Sequence, residues 1–197
     1  MSLLVRTQKL SDDLYKVVDG RALRSGVRER LAGGSFDVVH EHHRSVALLA
    51  HHRLYGSAFV LLRPMFDGCI NGMWLTYLAN DGELDRFANN RLTPEPTKVI
   101  KRLKRNDIHS SDILHRINQS AWQSMSSYVH GGYLQVARRN SEEFLGSNYS
   151  PEEVEEVLGL ANWFALLAAV EITQLSNDPA FFDEVISIAQ GYVGTQG

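Results

Sequence analysis

Apolar residues recur along almost the whole chain with the period of an α-helix. They fall at i, i+3 and i+4, and the strict alternation of apolar and polar residues that marks a half-buried strand is absent. The pattern predicts an all-α protein, a single helical bundle of about seven helices. We assign one domain to residues 1–197, with a short, less regular insert at 80–107 and a frayed tail at 191–197.

Turn and capping residues divide this pattern into segments. The predicted helices cover about 11–31, 36–55, 57–79, 83–90, 97–104, 111–129, 151–175 and 179–190. Gly33-Gly34 is predicted to end the first, and Pro64 to kink or loosen the third. Gly68 and Gly72 are spaced by four residues, so they allow another backbone to come close.

A polar row interrupts the most apolar stretch of the chain, residues 61–78. Arg63, Asp67 and Asn71 are four residues apart, so they share one helix face, where Arg63 and Asp67 can pair. A buried charge is costly unless it is paired and hydrogen-bonded. The row is therefore either a structural ladder or the wall of a functional site.

The composition is that of an ordinary soluble globular protein. Of 197 residues, 44% are hydrophobic and 22% are charged, and the net charge is -3. No overall positive field therefore attracts nucleic acid or anionic membrane. The single cysteine, Cys69, fits a reducing compartment, and it is either a small core residue or a nucleophilic thiol.

The apolar segments favour a cytoplasmic protein with no membrane contact. The N-terminal apolar run is too short for a signal peptide. Residues 57–79 are long enough to span a bilayer, but Arg63 and Asp67 would each cost about 2.5–3.5 kcal/mol near its centre. The run at 161–175 contains Glu171, and we predict a core helix there.

Histidines cluster between residues 40 and 52. The cluster consists of His40, His42, His43, His51 and His52. His40-Glu41 begins like the helical zinc-protease motif, but Arg44 stands where its second histidine belongs. Histidines spread around a helix cannot all face one ion, so we predict no metal and no cofactor, and a polar, partly exposed helix face instead.

Arg44 and His51 lie seven residues apart, on nearly the same helix face. This spacing resembles the arginine–histidine signature of the HEPN superfamily, helical bundles that include many RNA-cleaving toxins. The resemblance implies that the arginine holds phosphate and the histidine acts as acid or base. The basic run at 98–105 either contacts phosphate as well or forms a solvated face.

Another candidate lies where the predicted helix 111–129 ends. Gly131-Gly132 permit a tight exit of the chain and leave His130 accessible. At a helix C-terminus the macrodipole favours a protonated imidazole. His130 is thus either a proton-transfer group, with Ser127 and Tyr128 beside it, or a residue that closes the helix end by bonding a carbonyl.

Two segments together resemble a bacterial, all-helical family of unknown function. The first is the Leu-Leu-Arg, Phe-acid, Trp-Leu pattern of 61–78, with Asp67 where a glutamate is expected; the second is Tyr-Val-His-Gly-Gly at 128–132. The resemblance covers about residues 36–175, and the family's helix layout is similar to that of HEPN proteins. It implies that Arg63, Asp67 and His130 form one constellation across two packed helices.

The constellation has two interpretations. In the catalytic one, Arg63 binds an anion, Asp67 orients Arg63 and His130 transfers a proton. In the structural one, the same residues form a closed salt-bridge network with no substrate.

Two functions follow for the whole chain. The first is an uncharacterised helical protein that acts through a protein partner or as a homodimer. Its contact surface would include Trp163, Phe164, Phe181 and Phe182. The alternative is a HEPN-like, metal-independent ribonuclease of a toxin or phage-defence system, with RNA as its partner. Whether the protein is an enzyme stays open.

Overall fold

The computed structural model describes residues 1–140 and 145–194, and its regular structure is helical. The helices are α1 (Leu3–Val18), α2 (Val27–His51), α3 (Tyr55–Val60), α4 (Leu62–Tyr77), α5 (Asp81–Ala88), α6 (Pro96–Arg105), α7 (Ser111–Ser120), α8 (Trp122–Val129), α9 (Tyr133–Ala137), α10 (Pro151–Thr173) and α11 (Pro179–Gly194). Extended pairing within the described residues is limited to one isolated antiparallel bridge, Asn140 to Leu145. The all-α prediction is confirmed, but the described residues form more helices than predicted.

Helices α2, α4 and α10 form the centre of the fold, and two glycines bring α4 close to α2. A Cβ at Gly72 would lie 2.4 Å from Phe36 Cε1, and one at Gly68 would lie 2.7 Å from Val39 Cγ2. Phe36 and Val39 are fully buried at this contact. The close approach predicted from the glycine spacing is confirmed, because side chains of α2 occupy the space that the glycines leave empty.

The first and last helices are neighbours. Helix α1 packs on α2, α10 and α11, and α11 packs on α1 and α10. Arg6 Nη2 donates a hydrogen bond of 3.1 Å to the Tyr192 carbonyl in the last turn of α11, and its guanidinium carbon lies 4.8 Å from the centroid of the Tyr192 ring. A cation at a helix C-terminus is favoured by the helix dipole, so Arg6 helps to hold α11 on α1.

Two long predicted helices are each broken in the structure. The predicted helix 57–79 divides at Leu61 into α3 and α4. Pro64 explains this break, because it has no N–H to donate to the carbonyl of Val60. The predicted helix 111–129 divides at Ala121, where φ is -113°. No proline or glycine stands at Ala121, and nothing in the local sequence marks the second break.

The predicted end of the first helix at Gly33-Gly34 is wrong. Helix α1 ends at Val18, and both glycines lie inside the continuous helix α2. A Cβ at Gly33 would lie 2.4 Å from Leu23 Cδ1, so this glycine makes room for the loop before α2 rather than ending a helix.

The predicted frayed tail, residues 191–197, begins within the last helix. Residues 191–194 belong to helix α11, while the rest of the predicted tail, residues 195–197, lies outside the described residues.

The insert at 80–107 docks on the C-terminal end of α4. Its helices α5 and α6 follow the short helices predicted there. Arg102 of α6 donates to the Leu78 carbonyl at 3.0 Å, and Arg28 of α2 donates to the Ala79 carbonyl at 2.8 Å. These arginines satisfy carbonyls that a helix end leaves without an intrahelical partner.

Helix α10 begins with the predicted capping box. Ser150 Oγ accepts from the Glu153 N–H at 3.2 Å, and Glu153 Oε2 accepts from the Ser150 N–H at 2.9 Å. Among the described helices, α10 is the one long and apolar enough to cross a membrane, with a mean hydropathy of 1.4. Since 67% of that window is buried inside the fold, α10 has the burial of a core helix in a soluble protein.

Candidate functional site

Arg63 makes three contacts, two of which join α4 to α8. Its Nε donates to Asp67 Oδ2 at 2.9 Å, its Nη1 donates to Ser126 Oγ, and its guanidinium carbon lies 3.2 Å from the centroid of the Trp122 ring. Only 19% of the side chain is exposed. The pairing with Asp67 follows the four-residue spacing in the sequence. The two hydrogen bonds use two of the five N–H groups of the guanidinium, so the side chain is fixed in position while Nη2 has no hydrogen bond to a described residue.

Asp67 is the less satisfied member of this pair. Its Oδ1 is buried and has no hydrogen-bond partner in the part of the chain that the structure describes. Burial raises the pKa of the Asp67 carboxyl, and the neighbouring Arg63 opposes that shift. Asn71, the third residue of the row, is partly buried, and no hydrogen bond between described residues links its side chain to either of the others.

His130 lies one helical turn beyond Ser126, the residue of α8 that Arg63 contacts. It is the C-cap of α8, it is exposed, and its side chain has no hydrogen bond or ion pair within the described residues. Gly131 has a φ of +62°, and a Cβ at Gly132 would lie 2.5 Å from Ser127 Oγ. The two glycines thus make the tight exit predicted from the sequence. The role of His130 in one constellation with Arg63 and Asp67 stays a prediction.

The histidine cluster divides between the core and the surface. His40 and His43 are buried, whereas His51 and His52 are exposed at the end of α2. The prediction of one polar, partly exposed face is therefore wrong for His40 and His43. Burial lowers the pKa of His40 to about 3 and that of His43 to about 4, so both imidazoles are neutral near pH 7.

A buried hydrogen-bond network explains why His43 is tolerated in the core. His43 Nε2 lies 2.7 Å from Asn162 Oδ1 of α10. Asn162 Nδ2 donates to Thr7 Oγ1 of α1 at 2.9 Å and to the Tyr192 hydroxyl of α11 at 2.8 Å. His40 Nε2, in contrast, has no partner among the described residues. The described residues contain no group of three or more potential metal ligands.

The other candidates from the sequence have ordinary surroundings. The Arg44 guanidinium carbon lies 3.9 Å from the centroid of the Tyr15 ring, and the ring of His51 packs edge-on against His52. No hydrogen bond or ring contact joins Arg44 to His51 within the described residues. Cys69 is fully buried and burial raises the pKa of its thiol, which favours the core residue over the nucleophile.

The basic run on α6 is largely neutralised by acids. Lys98 pairs with Glu95 at 2.7 Å, and Lys104 pairs with Asp112 at 2.8 Å. Arg102 lies 3.6 Å from Glu83 Oε1. This arrangement is that of a solvated helix face rather than of a phosphate-binding stripe.

The sequence patterns did not single out a cluster around Glu171, whose side chain is 0% exposed. Its Oε2 accepts from the Tyr77 hydroxyl at 2.8 Å, and its Oε1 lies 2.6 Å from His109 Nε2. Burial raises the pKa of Glu171, while Tyr77 and His109 both act to lower it. The signal in the sequence is a single carboxylate within the apolar run 161–175, because a buried charge requires partners.

A pocket of about 330 Å³ lies between α8, α9 and α10. Its apolar lining consists of Phe59, Leu62, Met125, Leu134, Val157 and Leu160, with Ala121 beside them. The polar rim includes Tyr128, Arg138, Glu153 and Glu156. Arg138 Nε donates to Glu153 Oε1 at 2.9 Å, so its charge is already balanced. The pocket suits an apolar group with a polar edge rather than a free charge.

Comparison with known proteins gives one match. The model of a family of unknown function, DUF6988, matches residues 36–195. Neither the curated proteins nor the solved structures contain a match. The matched range includes Arg63, Asp67, Glu171 and the pocket residues.

Proposed function

The chain belongs to the DUF6988 family, which has no known function, and from its own surface we propose that it acts as a homodimer. The pairing surface consists of Val129, Tyr133, Leu134, Val136 and Leu145, called here the α9 surface. These side chains are 39%, 81%, 38%, 59% and 87% exposed, respectively. A concentration of large exposed apolar side chains on one short segment is the observation that carries this proposal.

The α9 surface is weakly attached to the rest of the fold. Helix α9 has five residues, none of them buried, and it packs mainly on α8. A helix this short is not stable by itself in water, so its structure depends on tertiary contacts. A second copy that covers Tyr133 and Val136 would supply such contacts.

The α9 surface also lies beside a recess that it could fill. Leu134 lines the pocket between α8 and α10, while Tyr133, next in the chain, is almost fully exposed. Twofold pairing requires a surface that complements itself. The ring of Tyr133 from one copy, an apolar body with a polar tip, matches the apolar walls and polar rim of the pocket in the other.

Charges near the pocket fit the same occupant: Glu156 lines the pocket, and Arg139 follows the lining residue Arg138 in the chain. Arg139 and Glu156 are both exposed, and neither has an ion-pair partner among the described residues. A surface with an unpaired charge of each sign can complement a second copy of itself, which favours a second copy over a partner of one charge sign.

Most of the aromatic residues predicted for the contact are buried or partly buried and do not belong to the α9 surface. Phe164 and Phe181 are fully buried, and Trp163 is partly buried. Phe182 is 40% exposed, but it lies on α11. The predicted partner or homodimer contact is therefore proposed at the α9 surface instead.

Sedimentation velocity tests the proposal directly. We expect untagged protein to be dimeric at micromolar concentration, and Val136→Asp to shift it to monomer because a charge would be buried in the contact. Val193→Asp is the matched control, since Val193 of α11 has the same exposure of 59%. A wild-type protein that stays monomeric, or equal dissociation by both variants, would overturn the homodimer.

The ribonuclease remains the alternative prediction. It needs a guanidinium that phosphate can reach, and only 19% of the Arg63 side chain is exposed. Cleavage of transfer RNA by untagged protein, lost in folded Arg63→Ala and His130→Ala variants, would establish it. A cytoplasmic location and a bacterial source likewise stay predictions.

A further inference from the structure

Arg6 of α1 is a partly buried cation that uses few of its hydrogen-bond donors. Its Nη2 donates to the Tyr192 carbonyl at 3.1 Å, its Nε is buried without a partner, and its Nη1 has no hydrogen bond to a described residue. It forms no ion pair with a carboxylate of the described residues. The end of α11 supplies only about half of an elementary negative charge. The guanidinium therefore keeps positive charge that an anion can neutralise.

A recess of about 340 Å³ lies next to Arg6, between α1 and α11. Leu10, Ile188 and Tyr192 give it apolar walls. The Tyr192 hydroxyl accepts a hydrogen bond of 2.8 Å from Asn162 Nδ2 in the core, so Tyr192 offers its ring rather than its polar tip to the recess. Ligand pockets have volumes of roughly 300–1,000 Å³, so this recess fits a small molecule.

The charged side chains that line the recess leave one positive charge without a counter-ion. Lys9 and Asp13 line the recess beside Arg6, and they form an ion pair with each other. Their charges cancel, so the charge of Arg6 is the surplus. A guanidinium presents its N–H groups in a planar fork that matches a carboxylate. The recess therefore selects a monoanion with an apolar body over a neutral or a cationic molecule.

We propose that this recess binds a medium-chain fatty acid in its ionised form. The carboxylate accepts a hydrogen bond from Arg6 Nη1, and the hydrocarbon chain lies against Leu10, Ile188 and the Tyr192 ring. The acid contacts α1 and α11 together, so its binding stabilises the contact between the two helices. None of the residues that line the recess belongs to the α9 surface, so the proposal does not depend on the homodimer.

Isothermal titration calorimetry of the full chain without a histidine tag is the first test. The probes are octanoate, 1-octanol and octylammonium, which share one chain length and differ in the charge of the head group. We expect octanoate to bind at least about 10-fold more tightly than 1-octanol, because only the carboxylate makes a charge-assisted hydrogen bond with Arg6. Octylammonium should bind more weakly than either. Absence of octanoate binding, or an equally high affinity for either other probe, would overturn the proposal.

Arg6→Met removes the cation but keeps an apolar stem of similar length. We expect the affinity of this variant for octanoate to fall at least about 10-fold, to the level of 1-octanol. Lys16→Met is the matched control, because it removes an exposed cation of the same helix that does not line the recess. Equal losses in the two variants would show that octanoate responds to net charge and not to Arg6.

Gly191→Leu tests the site while the contacts of Arg6 with α11 stay in place. Gly191 lines the recess, and a Cβ there would have nothing within 4 Å, so a larger side chain enters open space. We expect octanoate binding to be lost, because the leucine takes the place of the hydrocarbon chain. Gly159→Leu of α10 is the control, since a Cβ at Gly159 also meets nothing within 4 Å but lies outside the recess. Undiminished binding by the Gly191→Leu protein would place octanoate elsewhere and overturn the proposed site.

Discussion

His43 Nε2 lies 2.7 Å from Asn162 Oδ1, and both side chains are enclosed by the protein. Together with Thr7 and Tyr192 they form one polar network within a mainly apolar core. His40, one turn earlier on α2, is buried in the same helix face without a partner for its Nε2. Replacing His43 therefore removes the hydrogen-bond partner of a buried atom, whereas replacing His40 does not.

We predict opposite effects for the same substitution at these two positions. His43→Leu leaves the Asn162 carbonyl oxygen buried without a partner and should lower the free energy of unfolding by about 1–3 kcal/mol. His40→Leu removes a nitrogen that has no partner and should be neutral or stabilising. Urea denaturation at pH 7 measures the free energy of unfolding of both variants. Equal decreases would show that packing, and not hydrogen bonding, determines the effect of these substitutions.

Acid should destabilise the fold as the pH falls from about 6.5 toward 4. His40 and His43 bind protons near 6.5 when unfolded but only near about 3 and 4 when folded. Between these pH values the unfolded chain binds more protons than the folded protein does. The free energy of unfolding therefore decreases as the pH is lowered. Asp67 and Glu171 act in the opposite sense at the lower end, because burial raises their pKa values.

The pH dependence can be assigned by substitution. Replacing His40 with Leu should flatten the loss of stability between pH 6.5 and 4, since one of the two buried titrating groups is gone. Thermal unfolding followed across this range gives the slope for each protein. An unchanged slope would mean that His40 does not titrate as its burial implies.

Arg63 should matter more to stability than Asp67. Arg63→Met loses the Asp67 pair, the Ser126 bond and the Trp122 stacking, and it leaves a partly buried carboxylate without its cation. Asp67→Asn removes only the negative charge of the Arg63–Asp67 pair and leaves the Ser126 and Trp122 contacts of Arg63 in place. A double-mutant cycle should give a coupling of about 0.5–1 kcal/mol for this partly exposed pair. Arg63→Lys should not restore stability, because an ammonium cannot make all three contacts.

Two glycine-to-alanine substitutions should have opposite signs. At Gly72 a Cβ would lie 2.4 Å from the ring of Phe36, so Gly72→Ala should cost about 1–3 kcal/mol through overpacking. At Gly34, inside α2, nothing lies within 4 Å, and Gly34→Ala should stabilise the protein by about 0.5–1 kcal/mol. Chemical denaturation of the pair measures both, and a stable Gly72→Ala protein would contradict the packing described for α2 and α4.

Local patterns in the sequence predicted the helical class and several helix ends well. The Ser150 capping box and the Pro64 break depend on chemistry within a few residues, so they can be inferred without the fold. The helix end predicted at Gly33-Gly34 is wrong because it too was inferred from the local sequence alone. Their conformational freedom suggests a helix end, but the surrounding packing keeps them helical.

The candidate site was harder to predict because its contacts are long-range. The Arg63–Asp67 pair lies within one helix and follows from spacing. His109, Tyr77 and Glu171 are far apart in sequence, and no periodicity indicates that they meet. The signal in the sequence is the position of Glu171 within an apolar run. It indicates that the carboxylate needs partners but does not identify them.

The Asn162 network has a consequence for hydrogen exchange. One amide joins α1, α2, α10 and α11, so α1 or α11 cannot detach without leaving buried polar groups unpaired. The backbone amides of these helices should therefore exchange with solvent mainly when the whole core opens. The backbone amides of α9, which has no buried side chain, should exchange through a small local opening. When a second molecule covers α9, the exchange rates of these amides should be the first to decrease.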